Sequence, residues 1–395
     1  MIYMQTGIDI LLSHPPMWQQ QRIGLVTNHA ACTATFQPAR QALLEHGFNI
    51  TTLFSPEHGL DTTGADGHLM KDGTDPLTGL PIISLYGDKL APSANDLASI
   101  DIMLFDIPDI GCRFYTYLWT MTHVMEACSR QNIPLVIADR PNPLSGNSDL
   151  AEGPLLDEAH CNSFIGRWRL PVKHSCTLGE LAKYFNTTRN IHCKLDIIPC
   201  NGWKRSMRYT EWSHSFVPLS PAIPTFESAL LYPGLCFLEA TNISEGRGTA
   251  TPFRIAGAPW INANETAIHF NTLAKTLHSP VHARPMTFTP TEAKYKGEKC
   301  NGVMLHVNEP AQYKAVLAGL LLIRVIKELH PAQFEWATYP THVNPTGKQH
   351  LNLLLGILNA EHLFDLPVKE FIEEAKELLD AEEWKKEIAP FLLYE

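Results

Sequence analysis

The feature that most constrains this chain is a recurring unit: a short apolar, β-branched run, then a polar loop, often followed by a helical pattern. Ile23-Gly24-Leu25-Val26, Ile50 to Phe54, Pro81 to Leu85, Ile102 to Phe105, Leu135 to Ala138 and Leu195 to Ile198 are the runs. This is the rhythm of a parallel sheet flanked by helices. Between the runs, Pro38 to Gly47 reads as a helix closed by its glycine, and Tyr117 to Arg130 as an amphipathic helix completing a βαβ unit. Thr177-Leu178-Gly179-Glu180 is a capping box opening a helix to about Phe185. The expected fold class is α/β, with a Rossmann-like N-terminal parallel sheet.

At 395 residues the chain exceeds one ordinary hydrophobic core. The rhythm changes at the proline-dense Ser220-Pro221-Ala222-Ile223-Pro224, which divides the chain into 1–222 and 223–395. The second part is expected to be an α+β domain, with an active-site cleft between the two. Its helical patterns are Asn264 to Leu277, Gln312 to Leu329 and a charged stretch from Val368 to about Lys386, and Val303 to Val307 reads as a strand.

A net charge of −10 without any Lys/Arg-rich run removes the long-range attraction that nucleic-acid binding requires. The nine cysteines contain no Cys-x-x-Cys pair, so reduced thiols are expected rather than a disulfide framework or a zinc site. Met1 to Pro16 lacks the pattern of a secretory signal, and the apolar run Val316 to Ile326 is too short to span a bilayer. These features point to a cytoplasmic protein without membrane insertion. No G-x-G-x-x-G follows the first strand and no G-x-S-x-G, Walker or H-E-x-x-H motif occurs, so no cofactor or metal is expected.

In an open parallel sheet, ligands bind beyond the carboxyl ends of the strands. The residues there are Thr27-Asn28-His29, Ser55-Pro56-Glu57-His58-Gly59, Asp106 to Arg113, and Asp139-Arg140-Pro141-Asn142-Pro143. Turn chemistry explains Asp109, Asn142 and Gly59, but not Glu57, His58, Arg113 or Arg140. Glu57 reads either as a loop-locking partner of an arginine or as a proton donor raised by burial. His58 suits a core histidine, a group orienting Glu57 or a substrate hydrogen-bond donor. Arg113 suits a carboxylate partner, with Tyr115 either on a sugar face or packed beneath the helix. The segment Glu239 to Thr249 is a glycine-containing loop, in which Glu245 and Arg247 either neutralise each other or face a ligand.

Five ordered strings carry a family resemblance: Gly24-Leu25-Val26-Thr27-Asn28, Leu53 to Gly59, Gly111 to Tyr117, Asp139 to Pro143 and Asn242 to Thr249. Together they resemble the exo-β-N-acetylmuramidase family called NamZ, over nearly the whole chain. The resemblance implies a Rossmann-like domain, an α+β domain, a cleft between them, and release of terminal N-acetylmuramic acid (MurNAc) from the non-reducing end of peptidoglycan fragments. The chain departs from the family's pattern at Pro108, His174-Ser175-Cys176-Thr177 and Pro218 to Ala222.

Glycoside cleavage needs an acid for the leaving oxygen and a second group to stabilise the anomeric carbon. Glu57 is the expected acid, with Glu239, Glu245 or the sugar's acetamido group for the second role. The lactyl carboxylate of MurNAc calls for a guanidinium, with Arg140 favoured over Arg113 and Arg247. Asn28, His58, Tyr115, Asp139, Asn142, Asn242 and Thr249 complete the expected substrate contacts. Two rivals share this inventory: a muropeptide-binding protein that does not cleave, and a hydrolase of a different 2-acetamido sugar.

Overall fold

The computed structural model describes residues 4–395, so Met1 to Tyr3 of the N-terminal segment lie outside the described residues. Ten strands form two sheets. The larger contains β1 (Ile23–Thr27), β2 (Ile50–Ser55), β3 (Gly73–Thr74), β4 (Pro81–Ser84), β5 (Ile102–Asp106), β6 (Leu135–Ala138) and β7 (Leu195–Ile198), in the order β3-β4-β2-β1-β5-β6-β7. All its pairings are parallel except that of the two-residue β3 with β4. The central strands β1 and β5 are buried along their whole length, whereas β4 and β7, nearer the sheet edges, are partly exposed. Chain order reverses between β1 and β5, which opens a crevice at their carboxyl ends.

The βαβ unit is present, its helix spanning Tyr117–Arg130 and buried on nearly all sides. The capping box at Thr177 forms as expected, and its helix continues past Phe185 to Thr188. Helix Gly7–Ser13 docks beneath the sheet, with Gly7 N donating to Asp139 O at 2.8 Å.

The smaller sheet is antiparallel, in the order β8-β10-β9, from β8 (Ile255–Ala258), β9 (Val281–Phe288) and β10 (Cys300–Val307). Of these only β10 carries a legible apolar run. β9 is an edge strand whose exposure alternates and which contains Pro285, a residue that an edge tolerates because one side makes no ladder bonds. The charged stretch from Val368 is two helices, Val368–Leu378 and Glu382–Ile388, separated by a turn in which the Asp380 carboxylate accepts from Glu382 N at 2.8 Å.

Two buried helices, Phe226–Leu235 and Ala315–Leu329, cross at glycines. A Cβ on Gly319 would lie 2.2 Å from Gly234 O, so only glycine lets these backbones touch. The C-terminal tail then returns to the large sheet, where the Tyr394 hydroxyl donates to Asp139 at 2.5 Å and accepts from Cys200 N at 2.9 Å.

Candidate active site

Beyond β2 the chain turns sharply at Pro56-Glu57-His58-Gly59, with Gly59 N donating to Pro56 O at 3.1 Å. His58 and Gly59 both adopt left-handed backbone, at φ 67° and 76°. A histidine in that conformation is strained, and two bonds to one residue hold it there. Gly64 N donates to His58 O at 3.0 Å, and the His58 ring Nδ1 donates to Gly64 O at 2.8 Å. Because a carbonyl only accepts, Nδ1 carries a proton in this contact.

The turn sends Glu57 into a cleft lined on one side by Glu57, His58, Asp66, Tyr86 and Thr116 and on the other by Tyr232, Glu239, Arg247, Tyr339 and His350. Glu57 is only 5% exposed. Its Oε1 accepts from Gly67 N at 3.0 Å and its Oε2 from Thr116 Oγ1 at 2.7 Å. Burial raises this carboxyl above its ordinary range; the neighbouring Asp66 carboxylate adds to the effect, and His58 and the two hydrogen bonds oppose it.

Glu239 is equally buried but titrates in the opposite direction. Burial alone would raise it, yet Arg247 Nη2 at 2.7 Å and His350 Nε2 at 3.1 Å outweigh that and hold the carboxylate at about 2. The cleft therefore pairs a carboxyl that burial raises with one that its cationic neighbours hold low. When two acids in one pocket are pushed apart in this way, they can serve as donor and as charge stabiliser.

The expected site residues divide into two groups. Glu57, His58, Tyr115, Glu239 and Arg247 line the cleft. Glu245 stands behind it, buried, with Arg247 Nε at 3.3 Å and Lys294 Nζ at 3.2 Å.

Arg113 is a correction. It is fully buried away from the cleft and donates to three carbonyls, Pro154 O at 2.8 Å, Leu170 O at 2.6 Å and Leu354 O at 2.8 Å. Burial lowers it to about 10, so it keeps its charge while both Nη atoms are engaged by backbone carbonyls. Arg140 is a second correction, because its guanidinium is taken by both oxygens of Asp106, at 2.6 and 3.0 Å, and by Cys32 O at 3.0 Å. It borders a separate aromatic pocket with Tyr209, Trp212 and Phe216, beyond the wall that Leu219 and Ser220 make against the cleft.

The polar turn residues likewise serve the backbone. Asp139 accepts from Thr177 Oγ1 at 2.7 Å and Gly179 N at 2.9 Å. Asn142 donates to Cys176 O at 3.0 Å, and Asn28 accepts from Ala30 N at 3.1 Å. Asn242 clamps Gln333 O and Glu335 N, at 2.8 and 3.1 Å. Thr249 donates to Gly246 O at 2.6 Å and faces a neighbouring depression rather than the cleft.

Sequence reasoning missed Asp66, Tyr86, Thr116, Tyr339 and His350. Tyr86 could have been found, since it follows β4 as Glu57 follows β2. Thr116 sits inside the Gly111 to Tyr117 string, where the arginine and tyrosine drew the reading instead. Asp66, Tyr339 and His350 come from irregular loops or a helix start that no periodicity announces.

A Rossmann-like sheet presenting one buried glutamate raised by burial opposite another held low by an arginine and a histidine has the inventory of a two-carboxylate glycoside hydrolase. Comparison with known proteins gives the family. The N-terminal region of exo-β-N-acetylmuramidase NamZ matches residues 23–227, and its C-terminal region matches residues 230–394. The chain belongs to the exo-β-N-acetylmuramidase NamZ family. It is 41% identical over 335 residues, 84% of this chain and 79% of the other, to the peptidoglycan β-N-acetylmuramidase NamZ of Bacillus subtilis (strain 168). Two crystal structures of DUF1343 family proteins from Bacteroides fragilis NCTC 9343 share the fold. One has TM-score 0.86 at 28% identity with full coverage of both chains, the other 0.75 at 27% with 99% coverage of each.

Proposed function

We propose that this protein is an exo-acting glycosidase that removes terminal β-linked MurNAc from the non-reducing end of peptidoglycan fragments. The family supplies the substrate. The observation that carries the chemistry is that two buried glutamates face one cleft in opposite surroundings, Glu57 beside a hydroxyl and an amide and Glu239 beside Arg247 and His350.

Glu57 is the general acid. Its proton passes to the glycosidic oxygen as the bond to the anomeric carbon breaks, and Thr116 and Gly67 hold the carboxyl in place. Glu239 is the partner. A carboxylate held at about 2 is a poor proton acceptor near neutrality, so its role is to stabilise or attack the cationic anomeric carbon rather than to pull a proton from distant water. Glu245 is a charge partner of Arg247, and His58 presents its ring edge to the substrate from the cleft wall.

Among the described residues no helix is long and apolar enough to cross a membrane. We place the enzyme in the cytoplasm, in the recycling of imported wall fragments; the support is that all nine cysteines are unpaired and all but Cys32 are buried. The boundary between the two units is assigned to residue 222.

The test is incubation with a chromogenic MurNAc β-glycoside and its GlcNAc counterpart. Release from the MurNAc compound with at least a tenfold preference is expected. Binding without release makes the protein a muropeptide receptor, and preferential release from the GlcNAc compound reassigns the sugar.

A further inference from the structure

MurNAc differs from GlcNAc by a lactyl arm ending in a carboxylate, so an enzyme selecting it needs a cation to receive that charge. Within the cleft the arginine is already committed. Arg247 has Glu239 at 2.7 Å, Glu245 at 3.3 Å and Asp66 at 3.5 Å. Three carboxylates around one guanidinium leave a net negative field, which repels a fourth. Arg113 and Arg140 are occupied elsewhere, as described above.

The cleft does not end at Tyr339 and His350. It continues into a groove lined by Asn162, Ser163, Asn344, Thr346, Lys348 and Gln349, and the two share Phe164, Ile165, Tyr339, Thr341, Val343 and His350 as a common wall. Lys348 is exposed on the chain just before the helix His350–Leu355 and forms no ion pair among the described residues. Two buried polar atoms on the groove lining, Ser163 Oγ and His350 Nδ1, have no hydrogen-bond partner among the described residues. Buried polar groups are normally paired, so unpaired atoms along one groove suggest that a ligand supplies the partners. The other depression beside the cleft offers less: the hydroxyls of Thr249 and Thr291 are spent on Gly246 O and Gly248 O, at 2.6 and 2.8 Å.

Taking the proposed activity as given, we infer that this groove receives the lactyl arm of MurNAc, with Lys348 pairing its carboxylate and Ser163 donating to it. The arm then points out of the molecule along side-chain amides, which leaves room for a stem peptide on the same carboxyl. Lys348 is thus the residue that tells MurNAc from GlcNAc, and it does so from outside the catalytic cleft.

The experiment measures inhibition constants of free MurNAc and free GlcNAc, with kcat/KM on the chromogenic MurNAc glycoside and on a MurNAc–GlcNAc disaccharide, for wild type, Lys348→Ala, Lys348→Arg and Ser163→Ala. The ratio of the GlcNAc to the MurNAc inhibition constant is expected to fall about tenfold in Lys348→Ala and to recover in Lys348→Arg. Ser163→Ala should lower it severalfold without lowering the melting temperature, since it deletes an unpaired hydroxyl. An unchanged ratio in Lys348→Ala overturns the assignment. So does a loss confined to the disaccharide, which would make the groove the site of the leaving sugar. Absence of MurNAc release by the wild-type protein would instead defeat the functional reading itself.

Discussion

At the scale of single residues, the account rests on what surrounds each carboxyl. Glu57 and Glu239 are the same side chain at nearly the same burial, and only the neighbours differ: a hydroxyl, an amide and an acid for one, a guanidinium and an imidazole for the other. The pH dependence follows with a definite sign. Glu239 is ionised at all pH values above about 2, so it sets no limb in the working range. Activity requires protonated Glu57, so kcat/KM should hold on the acidic side and fall as pH rises through its raised pKa. Asp66→Asn removes a charge that raises Glu57, so the falling limb should move to lower pH. Thr116→Val removes a bond that favours the charged form and should move it to higher pH. Shifts of equal sign in the pH–rate profiles of the two variants would contradict this. The sequence placed Glu57 in the site because glutamate has no turn role at Pro56 to Gly59. It could not show which glutamate is raised and which is held low, since that depends on His350 and Arg247 meeting Glu239 across 111 and 8 residues of chain.

Among the elements, the parallel sheet was legible because a strand buried on both faces must be apolar throughout, as β1, β5 and β6 are. The second sheet was largely hidden. β9 exposes half its residues and contains proline, and β8 reads Ile-Ala-Gly-Ala, too short and small to register as a strand. Its partner elements explain the composition: a Cβ on Gly257 would lie 2.6 Å from Asn301 O, so small residues let β8 and β10 approach. The helix crossing gives a prediction at this scale. Gly319→Ala improves helix propensity by about 1 kcal/mol yet places a methyl 2.2 Å from Gly234 O. The net effect should be a loss of about 1–3 kcal/mol in denaturant unfolding, with no change in KM for enzyme that remains folded. A stabilised variant would show that the helices can separate at no cost.

At the scale of the whole molecule, Arg113 shows how position after a strand can mislead. A guanidinium beyond β5 looks like a ligand group, but here it ties the loop after that strand to Leu354 of the distant helix, and Gly356 leaves the space it fills. Arg113→Met should therefore leave three buried carbonyls short of a donor, costing about 3 kcal/mol or more, while KM for the MurNAc glycoside stays within twofold. A large rise in KM without loss of stability would restore the arginine to the substrate. The cleft between the two units depends on such ties, because Glu57 and Glu239 belong to different ones and any loosening moves the acid from its partner.

The measurement closest to the central claim is the leaving-group dependence of Glu57→Gln. A general acid matters most when the departing oxygen is basic and little when it leaves unaided. In the variant, kcat/KM on a MurNAc–GlcNAc disaccharide should fall about a thousandfold or more, while an activated aryl MurNAc glycoside loses far less, with the melting temperature preserved. Equal losses on both substrates, or near-normal turnover of the disaccharide, would contradict the assignment of Glu57 as the proton donor.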